Sequence, residues 1–115
     1  MTQVFGIKNC DTMKKACHWL DQHGITYEFI DYKKNGVVTG QIDLWCSLSD
    51  WKTLVNQRGT TWKKIPDEEK APLNEVRAKQ LMISYPSLIK RPVIIHQGKI
   101  IIGFSEPLFE SFFKD

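Results

Sequence analysis

The sequence predicts an α/β fold in which a mixed sheet of order β-α-β … β-β-α is divided by an all-helical insertion. At the start, strand patterns at residues 2–7 and 25–31 enclose a segment of helical periodicity. In the middle, at about residues 38–88, the patterns are helical. Near the end, β-branched runs at residues 93–96 and 99–102 are joined by a two-residue hairpin turn. We therefore expect a single domain over all 115 residues.

The first helix is predicted over residues 11–23, because apolar residues recur there at i, i+3, i+4 and i+7. The positions on this face are Met13, Ala16, Cys17 and Leu20. Gly24 follows as the residue that ends the helix. Strand, helix and strand with short links form a βαβ unit, so the first two strands are expected to be parallel.

Most of the remaining chain is predicted to be helical. A turn is expected at residues 33–36 and a loop at residues 60–66. The longer helical patterns begin near Thr39, Ser49, Asn74 and Ser105. Thr39, Ser49 and Ser105 are suited to cap a helix N-terminus. The inward positions predicted for these helices are Ile42, Leu44, Trp45, Leu48, Trp51, Leu54, Val55, Val76, Ala78, Leu81, Met82, Leu108, Phe109, Phe112 and Phe113.

Charge and hydropathy narrow the classes of function. The net charge is +3, and lysine and arginine are spread along the chain, so nucleic acid is not favoured as a partner. The same charge suits small anionic substrates. No apolar run approaches the roughly 20 residues that span a bilayer, and the first residues lack the pattern of a secretory signal. We expect no membrane contact.

The chain has three cysteines, Cys10, Cys17 and Cys46. An odd number without a secretory pattern favours free thiols in a reducing cytoplasm. The sequence contains no CxxC pair and no cysteine–histidine cluster with zinc spacing. It therefore predicts neither a metal site nor a bound cofactor.

Cys17 and Cys46 are weaker candidates for a catalytic role than Cys10. Cys17 follows Cys10 on the apolar face of the same helix, and the seven intervening steps rise about 10.5 Å. Because a disulfide needs Cα atoms within about 7 Å, we interpret Cys17 as a core residue. Cys46 lies on a predicted helix of the insertion. It is either buried filler or a partner that resolves an adduct at Cys10.

Cys10 is the sharpest candidate for chemistry. A free cysteine is most often buried and inert, but Asn9 and Asp11 place this one in a polar turn. The turn leads into a helix, whose positive N-terminal end favours thiolate, and Lys8, Lys14 and Lys15 add positive charge. The carboxylate of Asp11 acts in the opposite direction unless it turns away to cap the helix. We interpret Cys10 as a reactive thiol.

Two further segments offer cations for an anionic group. Arg91 precedes Pro92 at the entrance to a strand, a setting in which a cis peptide bond would turn Arg91 toward the end of the sheet. Arg58 lies in a polar, glycine-containing loop over residues 56–63. For both segments the alternative is a solvated surface connection.

Three motifs together resemble the arsenate reductase (ArsC) family of the thioredoxin superfamily, which includes the Spx-type regulators. They are FGIKNCDT at residues 5–12, RGTTWK at residues 58–63 and LIKRP at residues 88–92. The predicted hairpin and a Gly-Phe-Ser sequence follow. The likeness covers the whole chain and is closest to the small bacterial YffB-like branch.

The resemblance implies a thioredoxin-like sheet with a helical insertion. It implies that Cys10 is the nucleophile, that Arg58 and Arg91 surround an oxyanion site, and that Pro92 is a cis-proline opposite the thiol. Reductases of this family use glutathione and glutaredoxin. Lys8 and Asn9 are further candidates to stabilise the thiolate or to hold an anionic group.

The sequence also departs from the pattern of the family that it resembles. The arsenate reductases carry a third arginine after the last strand, where this chain has Phe104. Spx regulators commonly carry a second cysteine in a CxxC pair, and here Met13 occupies that position. These differences put arsenate in doubt as the substrate and remove the Spx redox switch.

The sequence therefore predicts a cytoplasmic thiol-disulfide oxidoreductase that uses Cys10 alone, with glutathione as co-substrate and glutaredoxin as a further partner. Its substrate would be a small anion or a disulfide. One alternative is an Spx-like regulator without enzymatic activity that binds RNA polymerase or another protein. The other is a true glutaredoxin-dependent arsenate reductase.

Overall fold

The computed structural model describes residues 2–8, 10–37 and 39–114. The chain divides into two compact units. The sheet unit comprises the segments up to Lys34 and from Arg91 onward, and the helical unit is Asn35–Lys90. That the two units form a single domain stays a prediction.

The sheet unit contains a four-stranded mixed sheet. Its strands are β1 (Thr2–Gly6), β2 (Tyr27–Asp31), β3 (Val93–His96) and β4 (Lys99–Ile102). Their order across the sheet is β2-β1-β3-β4, with β1 and β2 parallel and the other neighbours antiparallel. The predicted α/β class, the parallel first pair and the terminal hairpin are confirmed, and the arrangement is thioredoxin-like.

The other regular elements of the described residues are helices. They are α1 (Asp11–Gln22), α2 (Tyr32–Asn35), α3 (Thr39–Leu48), α4 (Trp51–Leu54), α5 (Thr60–Lys64), α6 (Asp67–Lys70), α7 (Glu75–Ser84) and α8 (Glu106–Phe112). A 3₁₀ turn, Pro86–Leu88, precedes β3.

Helix α1 buries a broader face than the spacing predicted. Met13, Ala16 and Leu20 are buried as expected, but Trp19 is buried with them. Cys17 is half-buried at the margin of this core. The Trp19 indole packs edge-on against the ring of Phe109, with 5.3 Å between ring centroids, and this contact stabilises its buried position.

The core of the sheet unit lies between the sheet and two helices. Val4, Ile94 and Ile101 face α1 and Phe109 of α8, and all four are buried. The prediction that Leu108 faces inward is wrong, since 43% of its surface is exposed. In a helix, neighbouring positions point about 100° apart, so Leu108 turns out where Phe109 turns in.

Two segments expected to be irregular are helical. Residues 33–36 were predicted as a turn, but α2 extends to Asn35 because Asp31 Oδ1 accepts hydrogen bonds from the N–H groups of Lys33 and Lys34, both at 3.0 Å. The predicted loop at residues 60–66 contains α5. These helices are only one turn long, and so they carry little periodic signal.

The cap of α4 is also shifted by one residue. Asp50 rather than Ser49 is its N-cap, and the Asp50 carboxylate accepts a hydrogen bond from the N–H of Thr53 at 2.7 Å. Thr39 is itself the first residue of α3. A carboxylate is favoured at the positive end of the helix, which explains the choice of Asp50.

Within the helical unit, α3 packs against α7. The buried residues on the two helices are Ile42, Trp45, Cys46, Ala78, Leu81 and Met82. The predictions that Leu44, Leu48 and Val76 face inward are wrong, because these side chains are exposed. Outside the core, Lys79 Nζ lies 2.9 Å from Asp43 Oδ1.

Candidate active site

The sheet topology gathers three chain segments at one edge. Because β1 and β2 are parallel, both end there, and the antiparallel β3 begins there. The pairing of Phe5 with Val93 marks this edge. The residues that the three segments place there are Cys10 after β1, Tyr32 after β2 and Arg91 before β3.

Cys10 occupies the N-cap position of α1. Its backbone is extended, with φ −125° and ψ 126°, and its carbonyl oxygen accepts a hydrogen bond from the N–H of Lys14 at 2.9 Å. The side chain of an N-cap residue lies beside the unpaired N–H groups of the first helical turn. The structure thus places the Cys10 sulfur at the positive end of α1, as the sequence predicted.

Arg91 meets this sulfur. Its Nε–H donates a hydrogen bond to Cys10 Sγ, with 3.4 Å between the nitrogen and the sulfur. The Arg91–Pro92 peptide bond is cis. The carbonyl oxygen of Pro92 accepts a hydrogen bond from the N–H of Gly103 at 2.9 Å, which ties this segment to the end of β4.

The pKa of Cys10 is lowered from its ordinary value. Partial burial acts to raise this pKa, but the hydrogen bond and the positive charge of Arg91 act against it. The backbone N–H groups of Met13 and Thr12 lower the pKa further, as expected at a helix start. The net result favours the thiolate, with Arg91 as its counter-ion.

Tyr32 is the member of this cluster that the sequence analysis missed. Its side chain is buried, with 1% of its surface exposed, and it is hydrogen-bonded to Arg91. Burial raises the pKa of Tyr32 to about 12, although the Arg91 contact works in the opposite direction. The sequence feature that could have identified Tyr32 is its position directly after β2, because parallel strands β1 and β2 end at the same edge of the sheet.

The other predicted anion-binding residues are Lys8, Asn9 and Arg58. Lys8 is exposed and, with Lys14, borders an open groove of about 640 Å³ beside Cys17 and Tyr27. Asn9 lies outside the described residues. Arg58 is an exposed residue of the helical unit, in the turn before α5, and its role at Cys10 stays a prediction.

The pKa values of Cys17 and Cys46 are shifted in the opposite direction to that of Cys10. Burial raises the pKa of Cys17, and the hydrogen bond with Tyr27 only partly offsets this. Cys46 is buried in α3, and burial raises its pKa as well. All three cysteines are free thiols.

Metal-binding clusters and membrane-spanning helices are both absent from the described ranges. Residues 2–8, 10–37 and 39–114 contain no group of three or more histidine, cysteine or acidic side chains that could hold a metal ion. Among the same residues, no helix has both the length and the apolar character needed to cross a membrane.

A thioredoxin-like sheet with a thiol at the start of its first helix defines the broad class of this protein. Within this class the chain belongs to the ArsC family, which it matches over residues 5–112. This confirms the family that the three sequence motifs resemble.

Solved structures and a sequence relative agree with this assignment. The YffB protein shares 41% identity and a TM-score of 0.92, covering 96% of this chain and 97% of that one. An arsenate reductase (ArsC) related protein from Brucella melitensis shares 42% identity and a TM-score of 0.78, covering 99% of this chain and 95% of that one. An uncharacterized protein of Haemophilus influenzae is 39% identical over 113 residues, which cover 98% of this chain and 99% of that protein.

The Spx regulators are more distant relatives. The global transcriptional regulator Spx of Streptococcus pneumoniae is 26% identical over 115 residues, which covers 97% of this chain and 85% of that protein. The relatives of this chain therefore include an arsenate reductase-related protein and a protein described as a transcriptional regulator.

Proposed function

We propose that this protein is a thiol-disulfide oxidoreductase in which Cys10 is the nucleophile and glutathione is the co-substrate. The observation that carries the proposal is the hydrogen bond from Arg91 Nε–H to Cys10 Sγ at the N-terminus of α1. A thiolate rather than a thiol attacks a disulfide, and this arrangement favours the thiolate. The relationship to arsenate reductase-related proteins supports a thiol reductase.

The reaction has two exchange steps. The Cys10 thiolate attacks one sulfur of a disulfide, which forms a Cys10 mixed disulfide and releases the other sulfur as a thiolate. A glutathione thiolate then attacks the mixed disulfide, regenerates the Cys10 thiolate and leaves with the substrate sulfur as a new disulfide. One sulfur of the original disulfide is thus reduced to a thiol, and glutathione is oxidised as it forms a disulfide with the other sulfur.

An external thiol is required because the other cysteines are poor candidates to resolve the adduct. Cys17 lies further along α1, where the helical rise separates it from Cys10. The pKa values of Cys17 and Cys46 are raised by burial, so little thiolate is present at neutral pH. Glutathione suits a reducing cytoplasm, the location we propose, and glutaredoxin would serve as a further thiol donor.

Recognition of an anionic or disulfide substrate is part of the same proposal. Arg91 supplies a fixed cation at the sulfur, and Lys8, Asn9 and Arg58 are the candidates for further contacts with negative groups. Pro92, next to Arg91, would border the bound substrate. Glutathione carries two carboxylates, which matches this excess of cations.

The proposal is tested with oxidised glutathione and reduced glutathione in turn. Intact mass and tryptic mapping should show one glutathione on Cys10, which reduced glutathione removes. Turnover of a small glutathione mixed disulfide should be lost in Cys10→Ser and retained in Cys17→Ser and Cys46→Ser. Turnover that persists in Cys10→Ser contradicts the proposal.

Arsenate reduction is a narrower version of this activity. Phe104, where the resemblance places a third arginine, packs its ring edge-on against Phe109 with 4.7 Å between centroids. An apolar ring held in this way offers no charge to an oxyanion. We therefore expect no arsenate turnover with glutathione and glutaredoxin, and measurable turnover contradicts that expectation.

The Spx relatives make a regulator the second candidate. Such a protein would bind RNA polymerase or another protein without catalysing a reaction. It would also work without the redox switch, because Met13 replaces the second cysteine. A pull-down with purified RNA polymerase separates the candidates: stable binding by both the wild type and Cys10→Ser, with no disulfide turnover, favours the regulator.

A further inference from the structure

Tyr32 is a buried polar residue at the candidate site that the proposed reaction does not use. It begins α2, directly after β2, and only 1% of its surface is exposed. Its hydroxyl shares a hydrogen bond with the guanidinium of Arg91. The same guanidinium donates its Nε–H to the Cys10 sulfur. Arg91 therefore lies between a phenol and a thiol.

We infer that Tyr32 is a positioning residue that holds Arg91 against the sulfur of Cys10. A guanidinium has five N–H donors in a rigid plane, so one donor can point at the sulfur while another is held by the phenol oxygen. Fixing two donors sets both the distance and the plane of the group. This inference rests on the proposed function, since it concerns the activation of the same thiol.

Arg91 needs such a support because its side chain is long. An unrestrained arginine side chain has many rotamers, and ordering it opposes the formation of the sulfur contact. Tyr32 has only two side-chain torsions, and burial holds its ring in place. The start of α2 is itself anchored, since Asp31 Oδ1 accepts the N–H groups of Lys33 and Lys34.

The protonation state of Tyr32 suits this role. Because burial raises its pKa to about 12, Tyr32 stays a neutral phenol across the pH range in which cysteines ionise. A neutral phenol accepts a hydrogen bond without cancelling the guanidinium charge. A tyrosinate would instead compete with the thiolate for that charge.

The test compares the pH profile of Cys10 alkylation in the wild type, Tyr32→Phe and Tyr27→Phe. Tryptic cleavage after Lys8, Lys14 and Lys15 places Cys10 and Cys17 on different peptides, so the rate at Cys10 is read by mass spectrometry. Tyr27→Phe is the matched control, because that hydroxyl contacts Cys17 instead. Tyr32→Phe keeps the buried ring and removes only the oxygen.

For Tyr32→Phe we expect the alkylation midpoint to rise. Below the wild-type midpoint, the rate at Cys10 should fall about 3- to 10-fold, the factor that the net contribution of one ordinary hydrogen bond supplies, because Tyr32 acts on the thiolate only through Arg91. Tyr27→Phe should retain the wild-type profile. In an Arg91→Gln background, the further change Tyr32→Phe should have no effect, because Tyr32 acts through Arg91.

Four outcomes overturn the inference. They are an unchanged profile in Tyr32→Phe, an equal shift in Tyr27→Phe, a full Tyr32→Phe effect without Arg91, or a wild-type Cys10 that titrates as an ordinary cysteine. Only the last of these also contradicts the proposed function. If Tyr32→Phe does not fold, side-chain ¹⁵N NMR of the wild type decides: slow exchange of the Arg91 guanidinium protons supports the inference, and rapid exchange overturns it.

Discussion

The side chain of Met13 fills the space that a β-carbon on Gly6 would need. Gly6 is the last residue of β1, and Met13 lies in the first turn of α1. The absence of a side chain at Gly6 thus lets the helix start lie close over the end of the strand. This close approach helps to determine where Cys10, between the two, is held.

Gly6→Ala should destabilise the protein by about 1 kcal/mol, near the lower end for an overpacked core, because the flexible thioether of Met13 can partly adjust. The measurement is urea unfolding. Gly40→Ala is the control, since its added carbon meets no atom within 4 Å beyond its chain neighbours and its own helix backbone, and it should be neutral or slightly stabilising. A stable Gly6→Ala variant would show that Met13 does not restrict this position.

The lowered pKa of Cys10 makes stability depend on pH in a defined direction. The folded state releases the thiol proton at a lower pH than the unfolded chain does. The stabilisation is therefore complete above the unfolded pKa of about 8.5 and is lost as pH falls through the folded pKa. As the pH is raised from below the folded pKa to above the unfolded pKa, the free energy of unfolding of the wild type should therefore increase relative to that of Cys10→Ser.

Arg91→Gln supplies the control for this prediction. Without the guanidinium, the pKa of Cys10 should move toward its ordinary value, and the pH dependence relative to the Arg91→Gln, Cys10→Ser double variant should flatten. A difference between the wild type and Cys10→Ser that stays constant from pH 5 to 9 would contradict the lowered pKa.

The three thiols should differ in reactivity. Limiting iodoacetamide at neutral pH should label Cys10 at least about 10-fold faster than Cys17 or Cys46, because only the Cys10 pKa is lowered while burial raises the other two. Peptide mass spectrometry with labelling times from seconds to hours measures the three rates. Faster labelling of Cys46 in the folded protein would refute this ranking. In urea the three rates should converge.

Two adjacent residues of α8 should respond differently to truncation. Phe109 is fully buried and meets the rings of Trp19 and Phe104, so Phe109→Ala should cost about 3–5 kcal/mol. Leu108 is 43% exposed, and Leu108→Ala should change stability by no more than about 0.5 kcal/mol. Thermal and urea unfolding measure both. Equal effects would mean that the helix faces the sheet differently.

The parts of the fold that sequence patterns predicted are those encoded locally. The β-α-β start, the terminal hairpin and the position of Cys10 at a helix N-terminus depend on spacing and on neighbouring residues, and the structure agrees with them. The one-turn helices α2 and α5 were missed because they are too short to show periodicity. Burial of Leu44 and Val76 was predicted from their apolar character, but their positions on the helices turn them outward.

The site was harder to predict than the fold, because its members are far apart in the chain. Arg91 and Pro92 were found through their motif, but the contact between Arg91 and Cys10 depends on how β1 and β3 pair. Tyr32 has no motif, and its importance follows only from the parallel pairing of β1 with β2. Side-chain contacts of this kind follow from tertiary structure rather than from local sequence.

The order of the strands has a consequence for how the site is lost. Cys10 and Arg91 adjoin β1 and β3, the two interior strands, while β2 and β4 form the edges. Interior amides exchange with deuterium only through the largest openings, whereas edge strands fray more readily. Brief fraying of either edge therefore leaves β1 paired with β3, so the two segments that carry the thiol and its counter-ion stay joined. Complete loss of fast Cys10 labelling would thus mark the separation of β1 from β3 in cooperative unfolding, whereas fraying of β2, which precedes Tyr32, would only slow the reaction.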